Sequence, residues 1–255
     1  MESFALTRVE MSSLLLSLTG LSDQKPLYIL QEAWAKFHRE ELQTGTSLPA
    51  FLSTDVPPIL QKIIKGDKVN GFSLGEISSL GHLIEYSTLT VTAMQNWVKR
   101  DFKEYLGSPK LGKKYSVNQA ALLFIIDDLK SALNFESIRQ LFQLMFLKPE
   151  REDDDLIEPA KLYHAYAGLF EEIKSNPSLR AQCKVDQVLH KEFTWKADTF
   201  LRSSTDRVID RLTHLSIAQK ESVRNMLLIA TIAVQTCYFQ SLARRYFNAA
   251  LFLNF

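Results

Sequence analysis

Glycine and proline are in short supply. The chain has 9 glycines and 8 prolines among 255 residues, where average usage would give roughly 18 and 13. The last of each are Gly168 and Pro177, so Ser178–Phe255 contains neither. This disfavours glycine-rich phosphate-binding folds and turn-rich all-β folds, and it points to helices. Cysteine is scarcer: Cys183 and Cys237 stand alone, with no C-x-x-C pair and no histidine at zinc spacing. They read as small buried hydrophobes, not as a redox pair or metal ligands. Charge of one sign is missing too. The net charge is +1, which excludes a chain basic throughout, so any nucleic-acid surface must be a local patch. Long apolar runs are also lacking. The best membrane candidate, Met226–Phe239, spans 14 residues where a crossing needs about 20. Glu2, Arg8 and Glu10 argue against a signal peptide. The expectation is a cytoplasmic protein that does not engage a membrane. Its 46% hydrophobic and 23% charged residues exclude wholesale disorder.

What is present is helical patterning. A short helix is expected within Ala5–Leu18. Pro26 suits a first helical turn, with Leu27, Leu30, Trp34 and Phe37 at helical spacing. Residues 43–58 read as loop, and Ile59, Ile63 and Ile64 as a short helix ending at Gly66. Ser73 and Glu76 have capping-box spacing, so a helix through Leu80, closed by Gly81, should follow. After a connector, Thr90–Phe102 reads as a second helix. Val91, Met94, Trp97 and Val98 form its inner stripe, and Thr92, Gln95, Asn96, Lys99, Arg100 and Lys103 its outer face. Gly107–Lys114 suits a small hairpin. Ser116 and Gln119 form another capping box before an apolar helix, Ala120–Leu133, whose Asp127 and Asp128 read as ordinary exposed charges. Asn134 caps a further helix with Ile138, Leu141, Phe142 and Met145 inward. Pro149–Pro159 is an acidic break. Helices near 160–174, 178–193, 194–212 and 217–248 follow. Phe193, Ala197, Phe200, Val208 and Leu212 suit one face of the third. Leu227, Ala230, Val234, Cys237 and Ser241 make a small-residue seam on the last.

Catalytic and cofactor motifs are missing. There is no G-x-S-x-G, no phosphate-binding glycine loop, no H-E-x-x-H and no EF-hand loop. His38, His82, His164, His190 and His214 never fall three or four residues apart. The expectation is a non-enzyme with no metal and no cofactor. The informative asymmetry lies between Lys99 and Lys114. Six cations (Lys99, Arg100, Lys103, Lys110, Lys113, Lys114) face two anions (Asp101, Glu104). Phosphates reward such clustering, and Gln95 and Asn96 have side-chain amides that can pair with adenine.

Residues Phe72–Met145 resemble the winged helix-turn-helix domain of MerR-type bacterial regulators. FSLGEISSL looks like the motif's first helix and TVTAMQNWVKRDF like its recognition helix. GSPKLGKKYSVNQAALLFIIDDL looks like a wing with the next helix, and ALNFESIRQLFQLM like the closing helix. The N-W-V-K-R and K-K-Y-S phrases look closer to an uncharacterised family of bacterial MerR-like transcriptional regulators. The resemblance implies a mainly α fold: a winged helix-turn-helix domain with a small β wing, plus a C-terminal helical bundle. It divides the chain into an N-terminal helical extension (1–65), the DNA-facing domain (66–149) and a helical effector or dimerisation domain (150–255). Its function would be transcriptional regulation through double-stranded DNA. Thr92, Gln95 and Asn96 would face bases, and Lys99, Arg100, Lys103, Lys113, Lys114 and Tyr115 the backbone. A homodimer is expected, with room for a small-molecule effector among the C-terminal helices. Metal-binding cysteines are missing there, and several helices are expected in place of one long heptad-regular dimerisation helix. The alternative is a non-catalytic protein-interaction module on the same scaffold.

Overall fold

The computed structural model describes residues 4–39, 57–66, 69, 71–146, 155–176 and 190–253, the side chains of 190–197 and 253 excepted. The expected loop at 43–56, Cys183, the side chains of Phe193 and Ala197, most of the acidic run and the helix over 178–189 lie outside the described residues. The fold is mainly α. Among the described residues, β pairing is confined to isolated bridges: Leu6 with Ile84, Phe72 with Tyr115, and Leu111 with Lys114. The chain forms two compact units, Met1–Phe124 with Pro159–Lys161, and Ile125–Glu158 with Leu162–Phe255.

In the first unit, Thr7 and Glu10 form a reciprocal capping box that starts α1 (Arg8–Leu18). α2 (Pro26–Phe37) begins with proline at its first turn, where the missing N–H is no loss. The expected stripe on α2 is out of phase. Leu27 and Phe37 are exposed, and the buried row is Ile29, Leu30 and Ala33, because α2 packs against α1. α3 (Pro58–Ile64) ends before Gly66, whose φ of 76° suits glycine. α4 (Leu74–Gly81) carries the expected Ser73–Glu76 capping box.

A helix–connector–helix unit follows. α5 (Val91–Asn96) is capped by Thr90, whose hydroxyl accepts from the Ala93 N–H. It runs without a break into a π-helical turn, Trp97–Asp101, closed by the Phe102 N–H on the Trp97 carbonyl at 2.9 Å. α6 (Lys103–Leu106) completes it. A Cβ on Gly81 would lie 3.0–3.2 Å from Leu89 side-chain atoms, so the connector folds closely over the end of α4. The N-terminus is tied to this connector. Leu6 N–H donates to Leu83 O at 2.6 Å, Glu85 N–H to Leu6 O at 3.0 Å, and the buried Arg8 guanidinium to Glu85 O at 2.7 Å.

Phe72 and Tyr115 exchange both backbone hydrogen bonds, at 2.9 and 2.8 Å. Beside them Gly71 has φ 144°, and a Cβ there would sit 2.7 Å from Tyr115 O. Gly71→Ala therefore adds a clash to an unfavourable backbone conformation. It should cost about 2 kcal/mol, read as a lower urea midpoint with unchanged slope.

α7 (Val117–Leu129) opens at the Ser116–Gln119 capping box, and all its residues but Asn118 are buried. The division between units falls within it, after Phe124.

In the second unit, Asn134 caps α8 (Phe135–Met145), which buries Ile138, Phe142 and Met145. α9 is Pro159–Ser175, α10 His190–Asp210 and α11 Ile217–Leu253. The inward row of α10 lies one step from the expected one. Leu201, Ser204, Thr205 and Ile209 are buried, while Phe200, Val208 and Leu212 are only half-buried. The Thr205 and Thr231 hydroxyls donate to Leu201 O and Leu227 O, four residues back, so burying them leaves no donor unpaired. The turn before α11 needs neither glycine nor proline, since Ser216 and Gln219 form another reciprocal side-chain cap.

Two expectations are corrected here. Asp127 and Asp128 are not surface charges but 5% and 3% exposed. The helix carrying them is buried on all sides, so no solvent face exists for them to occupy. Asp127 pairs with Lys130 Nζ at 2.6 Å, and Asp128 Oδ2 accepts from Tyr166 Oη at 2.8 Å. The several helices expected after residue 150 are present among the described residues, and the second correction is to the length of the last, expected over 217–248. α11 runs for 37 residues, and by length and composition alone it could cross a membrane. Its expected seam is buried from Leu227 to Cys237, with Ser241 half-buried.

Candidate nucleic-acid interface

The sign-biased stretch from Lys99 to Lys114 lies in the first unit, on α5, the π turn, α6 and the loop after them. Burial of Met94, Trp97, Phe102, Tyr105 and Leu106 orients this helical path. Those side chains face the unit's interior, so Thr92, Gln95, Asn96, Lys99, Arg100 and Lys103 all emerge exposed. Val91, expected in the inner stripe, is exposed, and Val98 is half-buried. The π turn widens the helix to about 4.4 residues per turn. This keeps Trp97 and Phe102, five apart, on the same inner side.

The loop is shaped by one side chain. Gln119 is 2% exposed and engages four backbone groups. Its amide N donates to Leu106 O at 2.6 Å and Ser108 O at 2.8 Å, and its oxygen accepts from Ser116 N–H at 2.8 Å and Lys110 N–H at 3.3 Å. The end of α6 and both sides of the loop are thus held to one residue. Leu111 and Lys114 close the tip, exchanging backbone bonds of 3.0 and 3.1 Å around Gly112, whose φ is 67°. The capping-box spacing revealed Gln119, but not that its side chain also anchors the hairpin. That depends on where Leu106 and Ser108 come to lie.

The cations are not equivalent. Lys99, Lys103, Lys110 and Lys113 are exposed. Arg100 lies against its neighbour, Nε to Asp101 Oδ1 at 2.7 Å, and this pairing raises its pKa further above the ordinary value. Lys114 leans toward Glu76, 3.8 Å away, which also meets Lys62 at 3.1 Å. Burial pushes the Glu76 carboxyl upward. The Ser73 N–H and hydroxyl together with Lys62 and Lys114 outweigh it, so its pKa falls below the usual range. Tyr115 is 8% exposed, and burial raises its phenol pKa. Its place is beside Phe72 in the wall of the unit, not on the outer face with the lysines.

Elsewhere, a groove of about 600 Å³ on α1 and α2 is lined by Glu10, Glu32, Lys36 and Arg39 among others, and its mixed charge selects no one ligand sign. Among the described residues, no histidine, cysteine and carboxylate group is placed to hold a metal ion.

The sequence family matching this chain is described as a domain of unknown function (DUF1836), over residues 67–166. This overturns the resemblance to MerR-type regulators, since neither that family nor a helix-turn-helix family matches. The order of capped helices that prompted it is generic to short helices joined by turns. The match also runs past the acidic break into α9. A Bacillus subtilis protein, the uncharacterised YkrK, is 33% identical over 247 residues, covering 96% of this chain and 97% of its own length. No solved structure matches the chain.

Proposed function

The chain belongs to the family of the Bacillus subtilis protein YkrK, and from that premise we propose that it binds double-stranded DNA through the outer face of α5 and the π turn, with the 107–114 hairpin acting as a wing. The observation that carries this reading is the single exposed row Thr92, Gln95, Asn96, Lys99, Arg100 and Lys103. It stands on a helix held from behind by Met94 and Trp97 and follows a second short capped helix. In this reading α4, the connector, α5 and the hairpin serve together as a winged helix-turn-helix. Gln95 and Asn96 read base edges from the major groove, and the lysines hold phosphates. Regulation of transcription is the role such a module would serve.

Gel shifts over a salt series, on a selected site and on random duplex, test this. Lys99→Ala and Lys113→Ala should each weaken binding by about 5–10-fold on every sequence, and each should reduce the salt slope by about one. Gln95→Ala and Asn96→Ala should instead erase preference between sequences, at about 1–3 kcal/mol per lost base contact. Wild-type protein that binds no duplex at low salt refutes the reading.

A second reading, a non-catalytic protein-docking module, draws on two observations. Arg100 and Lys114 are engaged by Asp101 and Glu76, and apolar Val91 and Leu111 are exposed on the same elements. Its signature would be partner binding that needs Val91 and Leu111 and changes little with salt.

A further inference from the structure

α11 has two apolar faces, and only one is covered within the second unit. Val223, Met226, Leu227, Ala230, Ala233, Val234 and Cys237 are buried. On the opposite side of the helix, Ile232, Phe239 and Tyr246 recur every seven residues, 53%, 57% and 70% exposed. Leu228, Gln235, Leu242 and Ala249 stand three residues after Asn225, Ile232, Phe239 and Tyr246. This is the alternating three–four spacing of a coiled-coil seam, and a strict seven-residue period keeps it facing one partner.

We propose that this row is the interface between two copies of the chain, paired as a two-stranded coiled coil through α11. The inference goes beyond DNA binding and rests on the other unit. Three observations favour a second copy as the occupant. The row carries no charge, and its polar members, Asn225 and Gln235, are amides. Each amide both donates and accepts, so it can pair with its own symmetry mate. Size is the second. At roughly 200 Å² per aromatic side chain, Phe239 and Tyr246, 57% and 70% exposed, leave about 250 Å² of ring surface per chain, an aromatic anchor of the kind that holds the centre of a protein–protein interface. The third is the helix end. Residues 243–252 are exposed throughout, and a helical segment of that length is marginal in water without tertiary support. A membrane crossing would instead need both faces of α11 in lipid, while one is packed against the second unit.

Sedimentation equilibrium of the full chain between 1 and 100 µM tests the proposal. Wild type should be dimeric. The double variant Phe239→Glu/Tyr246→Glu should associate at least 100-fold more weakly and sediment as a monomer with its helical circular dichroism largely kept. Phe239→Ala/Tyr246→Ala gives a milder loss should the acidic variant misfold. Arg244→Glu, on the far side of the helix, should leave the dimer intact. A monomeric wild type at 100 µM overturns the proposal, as does a dimer that both double variants retain. So does a monomer that co-sediments with phosphatidylserine–phosphatidylcholine vesicles, which would assign the row to lipid.

Discussion

Gln119→Leu should destabilise the first unit by about 3–4 kcal/mol, although leucine nearly matches glutamine in volume. The cost comes from what the amide leaves behind. Leu106 O and Ser108 O lose a donor, and Ser116 N–H and Lys110 N–H lose an acceptor. Each backbone group stranded out of water costs about 1–3 kcal/mol, and those near the loop surface recover part of it from solvent. Urea unfolding would report a lower midpoint. Hydrogen exchange should show loss of protection confined at first to residues 106–119. Gln119→Glu adds a pH test. A carboxylate keeps both acceptor roles but confronts two carbonyl oxygens, so its pKa in the folded state should rise above the unfolded ~4.3. A raised carboxyl means the folded state holds the proton more tightly. The variant's deficit relative to wild type should therefore be smallest below pH 4 and grow as pH rises through the folded-state pKa. Stability of Gln119→Glu that is flat with pH would refute this account of the loop.

Asp128→Leu should cost about 3 kcal/mol in the second unit, because the fully buried Tyr166 hydroxyl loses its acceptor. Asp128 also sits where other bonds converge. Its carbonyl accepts from Ser131 Oγ at 2.8 Å and meets Cys237 Sγ at 3.8 Å, while Ser131 Oγ also reaches Ala233 O at 2.8 Å. α7 is thus linked to α9 through a side chain and to α11 through the backbone. Tyr166→Phe alone should also destabilise, by about 1–3 kcal/mol, since it leaves a buried carboxyl oxygen short of a donor. The double variant Asp128→Leu/Tyr166→Phe should be less destabilised than the sum of the two singles, by at least about 1 kcal/mol. Strict additivity in chemical denaturation would show that the pair does not act as a unit.

Local chemistry was readable without coordinates. The Ser73–Glu76 and Ser116–Gln119 boxes, the Asn134 cap and the start of α11 at Ile217 all rest on residues within one turn of each other. The outer face of α5 was readable for the same reason, since helical period alone separates Gln95 and Asn96 from Met94 and Trp97. Phase failed where the partner decides which side is inside. On α2 and α10 more than one apolar row is available, and only the neighbouring helix selects Ile29–Leu30–Ala33 or Leu201–Ile209. Asp127 and Asp128 failed likewise. An acidic pair at the end of an apolar helix is ordinarily solvated, and only Lys130 and Tyr166 make it a buried one. The family resemblance failed for a related reason, because caps and turns record helix boundaries and not ancestry.

By itself the sequence determined that this protein is mainly helical, where its capped helices begin, and that its cations gather between Lys99 and Lys114. Those properties depend on residues close along the chain. Only the tertiary structure decided that Arg100 leans on Asp101 and Lys114 on Glu76, that Tyr115 belongs to the wall, that Gln119 holds the hairpin, and that α11 keeps a second apolar face exposed. Each of these depends on what lies across space from a residue, a relation that hydrophobic period and spacing do not encode.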